Sequence, residues 1–293
     1  MDQHEHDWLA QRFQQHREHL RGVAYRLLGS LSEADDALQD AWLRISRADT
    51  RGVENLGGWL TTVVARVCLN MLQARKTRRE EPLDGHVPDP IVSRVDRFDP
   101  EHQAVLVDSL GLALLVVLEA LSPAERVAFV LHDVFGVPFE EVAPIVGRSP
   151  TAARQLASRA RRRVQGGTVA PDPDLAQQRA VVSAFLAAAR GGDLDGLLAV
   201  LDPDVVLRSD VGPARGGPVV TRGAAAVAGQ ALTFARYAAE SEPVLVNGAA
   251  VVVAWAANGR PMSVMGFTVL GGKIVEIDAL ADAARLSRLD LAR

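Results

Sequence analysis

The sequence predicts a multidomain chain in which two all-α blocks, the second carrying a helix-turn-helix, precede an α+β block. Three observations carry this. Apolar residues recur at helical spacing through the first two blocks. Two Pro/Gly/Asp-rich stretches, Glu81–Pro90 and Gly166–Pro173, break the pattern where no regular helix can continue. Beyond Asp204 the periodicity shortens to β-type runs, and the last two flank Gly271-Gly272, a two-residue hairpin signal. At about 100–200 residues per domain, 293 residues accommodate two or three domains. The expected division is 1–80, a linker at 81–100, 101–165, a second linker at 166–173, and 174–293.

In the first block Phe13, Leu20, Ala24, Leu27 and Leu28 form one helical stripe, which Gly29 ends. Ser32 is placed to N-cap the next helix, with Asp35 at the third position as a weak capping box. That helix sets Ala34, Leu38, Ala41, Trp42 and Ile45 on one face and Asp36 and Asp40 on another. A loop from Asp49 to Gly58 leads to a long helix from Trp59 to about Arg79. The second block reads as helices near 104–120, 123–133, 138–146 and 149–164. Ser122-Pro123 and Ser149-Pro150 each pair an N-cap with proline at the first helical position. In the third block helices near 175–190, 194–201 and 223–237 accompany strands near 205–208, 244–247, 251–256, 262–270 and 273–277. Such a mixture predicts helices packed on a curved antiparallel sheet.

The net charge of −4 hides a strong local asymmetry. Six arginines and no acid lie between Arg148 and Arg163; Arg66, Arg75, Lys76, Arg78 and Arg79 form a second cationic segment. Glu33, Asp35, Asp36 and Asp40 form an anionic one, so two different partners are expected. No apolar run approaches the ~20 residues a bilayer requires. The polar start, Met1–Asp7, gives no signal peptide, and the single Cys68 suits a reducing compartment. A cytoplasmic location is expected, with no membrane partner.

Phe139–Arg163 fits a helix-turn-helix. Ala143 is the small residue where the helices approach, Gly147 makes the turn, and Val142, Val146, Ala153 and Leu156 fill the space between them. Pro144 is expected to distort the first helix. Arg148, Ser149, Thr151, Arg154, Gln155, Ser158 and Arg159 then face base edges, and Arg161 to Arg163 face phosphates. The same pattern also suits a bundle hairpin with a solvated, arginine-rich last turn.

The segments Ala34-Asp-Asp-Ala-Leu-Gln-Asp-Ala-Trp-Leu-Arg44 and Trp59–Arg79, followed by this helix-turn-helix, resemble bacterial sigma factors of the extracytoplasmic function (ECF) group over residues 1–165. The resemblance implies that Asp35, Asp36, Leu38, Gln39, Asp40 and Trp42 dock on the clamp coiled coil of the β′ subunit of RNA polymerase core. It implies that Arg66, Asn70, Arg75, Lys76, Arg78 and Arg79 read the −10 promoter element as a single strand, while the helix-turn-helix reads the −35 element. It places the 81–100 linker between the two DNA-reading domains. Because the chemistry belongs to the polymerase, neither a cofactor, a metal nor a catalytic residue is implied.

Residues 174–293 resemble the cone-shaped domains of SnoaL-like cyclases and ketosteroid isomerases in element order, in Asp202-Pro-Asp-Val-Val206 and in the final Gly271-Gly-Lys-Ile-Val275 hairpin. A subgroup of ECF sigma factors carries such a domain, with an Asp-Gly-Gly-Gly-Lys segment where this chain has Asp210-Val-Gly-Pro-Ala-Arg215. Its Asn-Pro-Asp-Lys-Leu segment corresponds to Asp282-Ala-Ala-Arg-Leu286. The resemblance implies regulation from within the chain, with Asp210, Asp282, Arg285 and Leu286 as interdomain residues; a small ligand or a separate anti-sigma partner is left open. Two alternatives are a helix-turn-helix regulator that acts without core enzyme and a cyclase or isomerase with a helical leader. The enzyme would need Asp210 or Asp278 as its base, since all seven histidines precede residue 133.

Overall fold

A computed structural model describes residues 3–48, 50, 52–77, 86–90, 92–93, 112–167, 174–246, 249–289 and 291. In the main, residues up to 81 and 117–166 form one compact unit, and residues 82–103 with those from 167 onward form a second.

The helices of the first half are α1 (Gln3–Leu28), α2 (Leu31–Ile45), α3 (Leu56–Thr77), α4 (Leu112–Glu119), α5 (Pro123–Phe129), which runs into a π-helical turn at Val130–Val134, α6 (Phe139–Val146) and α7 (Pro150–Gly167). Leu20, Val23, Leu27, Leu38, Ile45, Leu60, Val64 and Cys68 are buried where α1, α2 and α3 pack. Gly29, at φ 75°, ends α1 as its sequence position predicts. The cap of α2 is Ser30, not Ser32: the Ser30 hydroxyl accepts from the Glu33 N–H, which sets the capping pair two residues earlier than expected. Likewise α3 begins at Leu56 rather than Trp59, with the Asn55 side chain accepting from Gly58 N–H at 3.0 Å. Ser122 and Glu125 form a reciprocal capping box on α5. Pro144 interrupts nothing: it lies exposed on α6, and the helix continues to Val146.

One buried cation was not foreseen. Arg126 is 4% exposed, and donates to Leu118 O at 2.7 Å and to Leu27 O at 2.9 Å. Both carbonyls lie at helix C-termini, where backbone acceptors lack intrahelical partners and a cation is favoured.

The second unit is built on seven strands in the order β1-β4-β5-β6-β7-β2-β3. These are β1 (Val92–Ser93), β2 (Leu201–Asp210), β3 (Pro218–Arg222), β4 (Ala238–Val246), β5 (Ala249–Ala256), β6 (Pro261–Leu270) and β7 (Lys273–Leu280). The sheet is mixed rather than antiparallel, because β2 and β7 run parallel while the other pairs are antiparallel. A crossover explains it: helix α10 (Ala224–Ala235) carries the chain from the β3 edge to β4, and the β4–β7 meander then returns to β2 in its own direction. β1 is a further departure. It comes from the 81–100 linker and pairs Val92 with Val246 and Ser93 with Leu245.

Alternation along the strands divides the sheet into two apolar faces. On one, Leu207, Val252, Phe267, Val269 and Ile277 pack with Val182 and Phe185 of α8 (Leu175–Gly191), Leu197 of α9 (Leu194–Val200) and Val227 of α10. On the other, Val251, Val253, Val264 and Leu280 meet Val87 of the linker and Leu286 of α11 (Ala283–Leu286).

Candidate functional site

The helix-turn-helix forms as the sequence predicts. Gly147 adopts φ 64°, and Arg148 N–H bonds back to Ala143 O at 3.0 Å, turning the chain between α6 and α7. Ala153, Ala157 and Ala160 bury one face of α7, which points Thr151, Arg154, Gln155, Arg159 and Arg162 to solvent, and Arg148 and Ser149 are exposed in the turn before it. Arg154 also lies 5.1 Å from the Phe139 ring centroid. The end of α7 is partly occupied by internal contacts. Half-buried Arg161 pairs with Asp133 at 2.5 Å, Arg163 with Glu125 at 2.7 Å, and Arg159 approaches Glu125 at 3.8 Å; Ser158 is half-buried. Burial would raise the Glu125 carboxyl, but the Ser122 hydroxyl and N–H, with Arg163 and Arg159, hold it below the ordinary carboxylate range. The phosphate-facing role expected of Arg161 therefore competes with an ion pair, whereas the start of the helix, expected to face bases, is open.

On α3, Arg66 and Asn70 are exposed one turn apart, and Lys76 is exposed beyond them. Arg75 departs from the expectation: it is half-buried, paired with Glu33, and donates to Leu28 O. Arg78 and Arg79 lie outside the described residues. On α2, Asp36, Gln39 and Asp40 are exposed, while Asp35 is held by the Arg21 guanidinium at 2.8 and 3.0 Å. Leu38 is corrected to a core residue, since it is 2% exposed and cannot meet a partner. Trp42 is half-buried beside Phe13, ring centroids 5.2 Å apart. The apolar element of the acidic face is instead Leu43, 53% exposed. It lies seven, four and three positions after Asp36, Gln39 and Asp40, so helical spacing could have found it.

The four C-terminal residues singled out for regulation come together at the edge of the second unit. Arg285 donates to Asp210 at 2.8 Å, to Asp89 at 2.6 Å and to the Val87 carbonyl at 2.6 Å. Asp210 also contacts His86 at 2.9 Å and accepts from the Val87 and Gly212 N–H groups. Asp282 caps α11 through Ala284 N–H and Arg285 N–H, which sets the Arg285 side chain, and Leu286 packs with Val87. A side chain at Gly212, which has φ 76°, would collide with Asp282. The result is a clasp that closes on residues 86–89 of the linker. Sequence reasoning found one jaw and missed what it grips. Burial pushes the Asp210 carboxyl upward, but His86, the Arg285 charge and Gly212 N–H outweigh it and leave it below the ordinary range. The clasp is therefore strongest above the ordinary carboxyl pKa and loosens as pH falls through the depressed value.

Asp278 behaves oppositely. Burial raises it to about 6, exceeding the pull of Arg208 at 3.0 Å, and Glu276, which shares that arginine, adds to the rise. The folded state keeps a proton that the unfolded chain releases, so this group's contribution to stability falls as pH rises between about 4 and 6. Asp278→Asn should flatten that part of the stability profile, measured by thermal unfolding across the window; an unchanged slope would show that another group titrates there.

A cationic helix-turn-helix, a second cationic helix and a helix with an exposed acidic face, joined to an α+β domain, point to a multidomain DNA-binding protein. Comparison with known families places it more narrowly. Residues 12–79 match Sigma-70 region 2, 111–164 match Sigma-70, region 4, and 182–277 match the SnoaL-like domain. The chain is 38% identical over 292 residues to the "Probable ECF RNA polymerase sigma factor SigI" of Mycobacterium tuberculosis, covering 97% of each. It is 46% identical over 200 residues to the ECF sigma factor SigJ of the same organism, covering 68% of this chain and 64% of that one. The crystal structure of SigJ superposes with a TM-score of 0.74 at 34% identity, covering 97% of this chain and 100% of that chain. The chain belongs to the ECF RNA polymerase sigma factors, of the kind that carries a C-terminal SnoaL-like domain. Among the described residues no helix is long and apolar enough to cross a membrane.

Proposed function

We propose that this sigma factor docks on core polymerase through Asp36, Gln39, Asp40 and Leu43 and contacts the −10 element through Arg66, Asn70 and Lys76. It reads the −35 element through the exposed start of α7. The observation that carries this reading is the exposed set Arg148 and Ser149 in the turn and Thr151, Arg154, Gln155 and Arg159 on α7, the last four backed by the buried alanines of that helix. Those side chains match the major-groove code, in which Arg and Gln pair with base edges and short hydroxyls hold backbone. Arg162 adds a phosphate contact, and Arg78 and Arg79 would extend the −10 grip. Asp210, Asp282, Arg285 and Leu286 regulate by holding the linker that must follow the promoter-bound chain.

In vitro transcription with purified core enzyme tests the whole. Addition of this protein should yield promoter-dependent transcript, and absence of transcript, with or without 174–293, would sink the assignment. Reversing the acidic face with Asp36→Lys and Asp40→Lys should slow association with core about tenfold or more at low salt, since both charges steer encounter from an exposed surface. Stopped-flow mixing of labelled protein with core measures this; equal rates would return α2 to the role of a solvated helix.

A further inference from the structure

We propose that the cavity between α10 and the sheet of the second unit binds a neutral, mostly apolar small molecule carrying a hydrogen-bond acceptor, and that its occupancy is coupled to the linker clasp. The cavity is about 740 Å³ with its open mouth included, and Phe185, Leu207, Phe234, Met265 and Ile277 give it apolar walls. Deep in it lies Ser263, 1% exposed, whose hydroxyl has no hydrogen-bond partner among the described residues. An orphaned buried hydroxyl is costly, and a ligand carbonyl at this point would satisfy it. Ser209 and Ser241 also line the space.

The charge of the ligand follows from what is missing in the lining. Among the described residues that line it, Arg190, exposed in the structure, is the one ionisable side chain. Asp210 and Asp278 alternate with Ser209, Ile277 and Ala279 along β2 and β7 and are not part of it. Among the described lining residues no buried side chain offers a counter-charge, and Arg190 stays in solvent, so an uncharged ligand is selected for the interior.

Coupling follows from shared backbone. Ser209 faces the cavity while its neighbour Asp210 holds Arg285, and the cavity-lining Ala281 donates its N–H to Asp210 O at 2.7 Å. A molecule seated against these strand ends displaces the atoms that position the clasp. This half rests on the regulatory reading of the clasp; binding itself does not.

The test uses the full chain and 6-propionyl-2-dimethylaminonaphthalene, a neutral aromatic ketone whose emission shifts to the blue in apolar surroundings. Titration should give saturable blue-shifted emission. Ser263→Ala should weaken affinity about fivefold or more through the lost hydrogen bond, and Ala231→Trp, which fills the space from α10, should abolish binding while thermal unfolding stays cooperative. Parent affinity in Ser263→Ala overturns the anchor, and parent affinity in a folded Ala231→Trp overturns the site. By reciprocity of linkage, opening the clasp with Arg285→Ala should change the probe's affinity on the order of fivefold. An unchanged affinity overturns the coupling. Transcription with core enzyme reads the sigma assignment separately, so neither failure is mistaken for the other.

Discussion

Arg126→Ala should destabilise the first unit by about 3 kcal/mol or more, a drop of roughly 10 °C in Tm. The guanidinium donates to two carbonyls from inside the protein, and hydrogen bonds involving a charged group contribute about 1.5–3 kcal/mol each. Its burial lowers the pKa to about 10, which still leaves it protonated at neutral pH. Alanine removes both donors at once and leaves Leu27 O and Leu118 O without their partner. Arg126→Lys should recover only part of the loss, since one ammonium cannot reproduce the fork that reaches both helix ends. Thermal unfolding, with hydrogen exchange followed in the last turn of α1, measures the effect. A variant within ~1 kcal/mol of the parent would show that those carbonyls find other donors.

The residues that were legible from sequence are those whose roles depend on local chemistry. Gly147 makes its turn because a left-handed residue is needed four positions after Ala143, and Ser122-Pro123 with Glu125 is a complete capping signal within four residues. The exposed row of α7 follows from the alanine spacing alone. What escaped depends on partners far away in the chain. Arg126 reads as one more surface arginine until Leu27, 99 residues earlier, brings its carbonyl alongside. Arg285 reads as a degraded motif residue until Asp89 and Val87, almost 200 residues earlier, enter its reach. Residues 86–90 of the linker are indeed not helical, yet Val87 is fully buried and β1 joins a sheet edge, because an edge strand offers unpaired N–H and C=O groups to any extended segment. Parallel pairing of β2 with β7 is likewise a property of connectivity and leaves no trace in the composition of either strand. Leu38 and Leu43 show a finer limit: the stripe of Ala34, Leu38, Ala41 and Ile45 buries Leu38, and only its angular distance from the acidic row distinguishes it from exposed Leu43.

The second large effect is on promoter discrimination, where Arg154→Ala and Arg162→Ala should part company. Arg154 lies one turn into α7, on the row that a major groove would meet, so its loss should reduce use of the cognate −35 sequence by about 1–3 kcal/mol and relax specificity at one position. Arg162 lies near the end of the helix and is exposed, where the proposed docking would bring it to the backbone. Its loss should weaken binding to all sequences alike and reduce the slope of log K against log salt by about 1. One complication is internal: Arg154 stacks over Phe139, so alanine also forfeits a cation–π contact of about 0.5–1 kcal/mol. That term lowers folding stability equally for every promoter and leaves the ratio between cognate and altered −35 sites untouched. Holoenzyme assays on paired promoters across a salt series therefore separate the contributions. Equal losses on both promoters in Arg154→Ala, with the altered slope there rather than in Arg162→Ala, would reverse the two roles and shift base reading away from the start of α7.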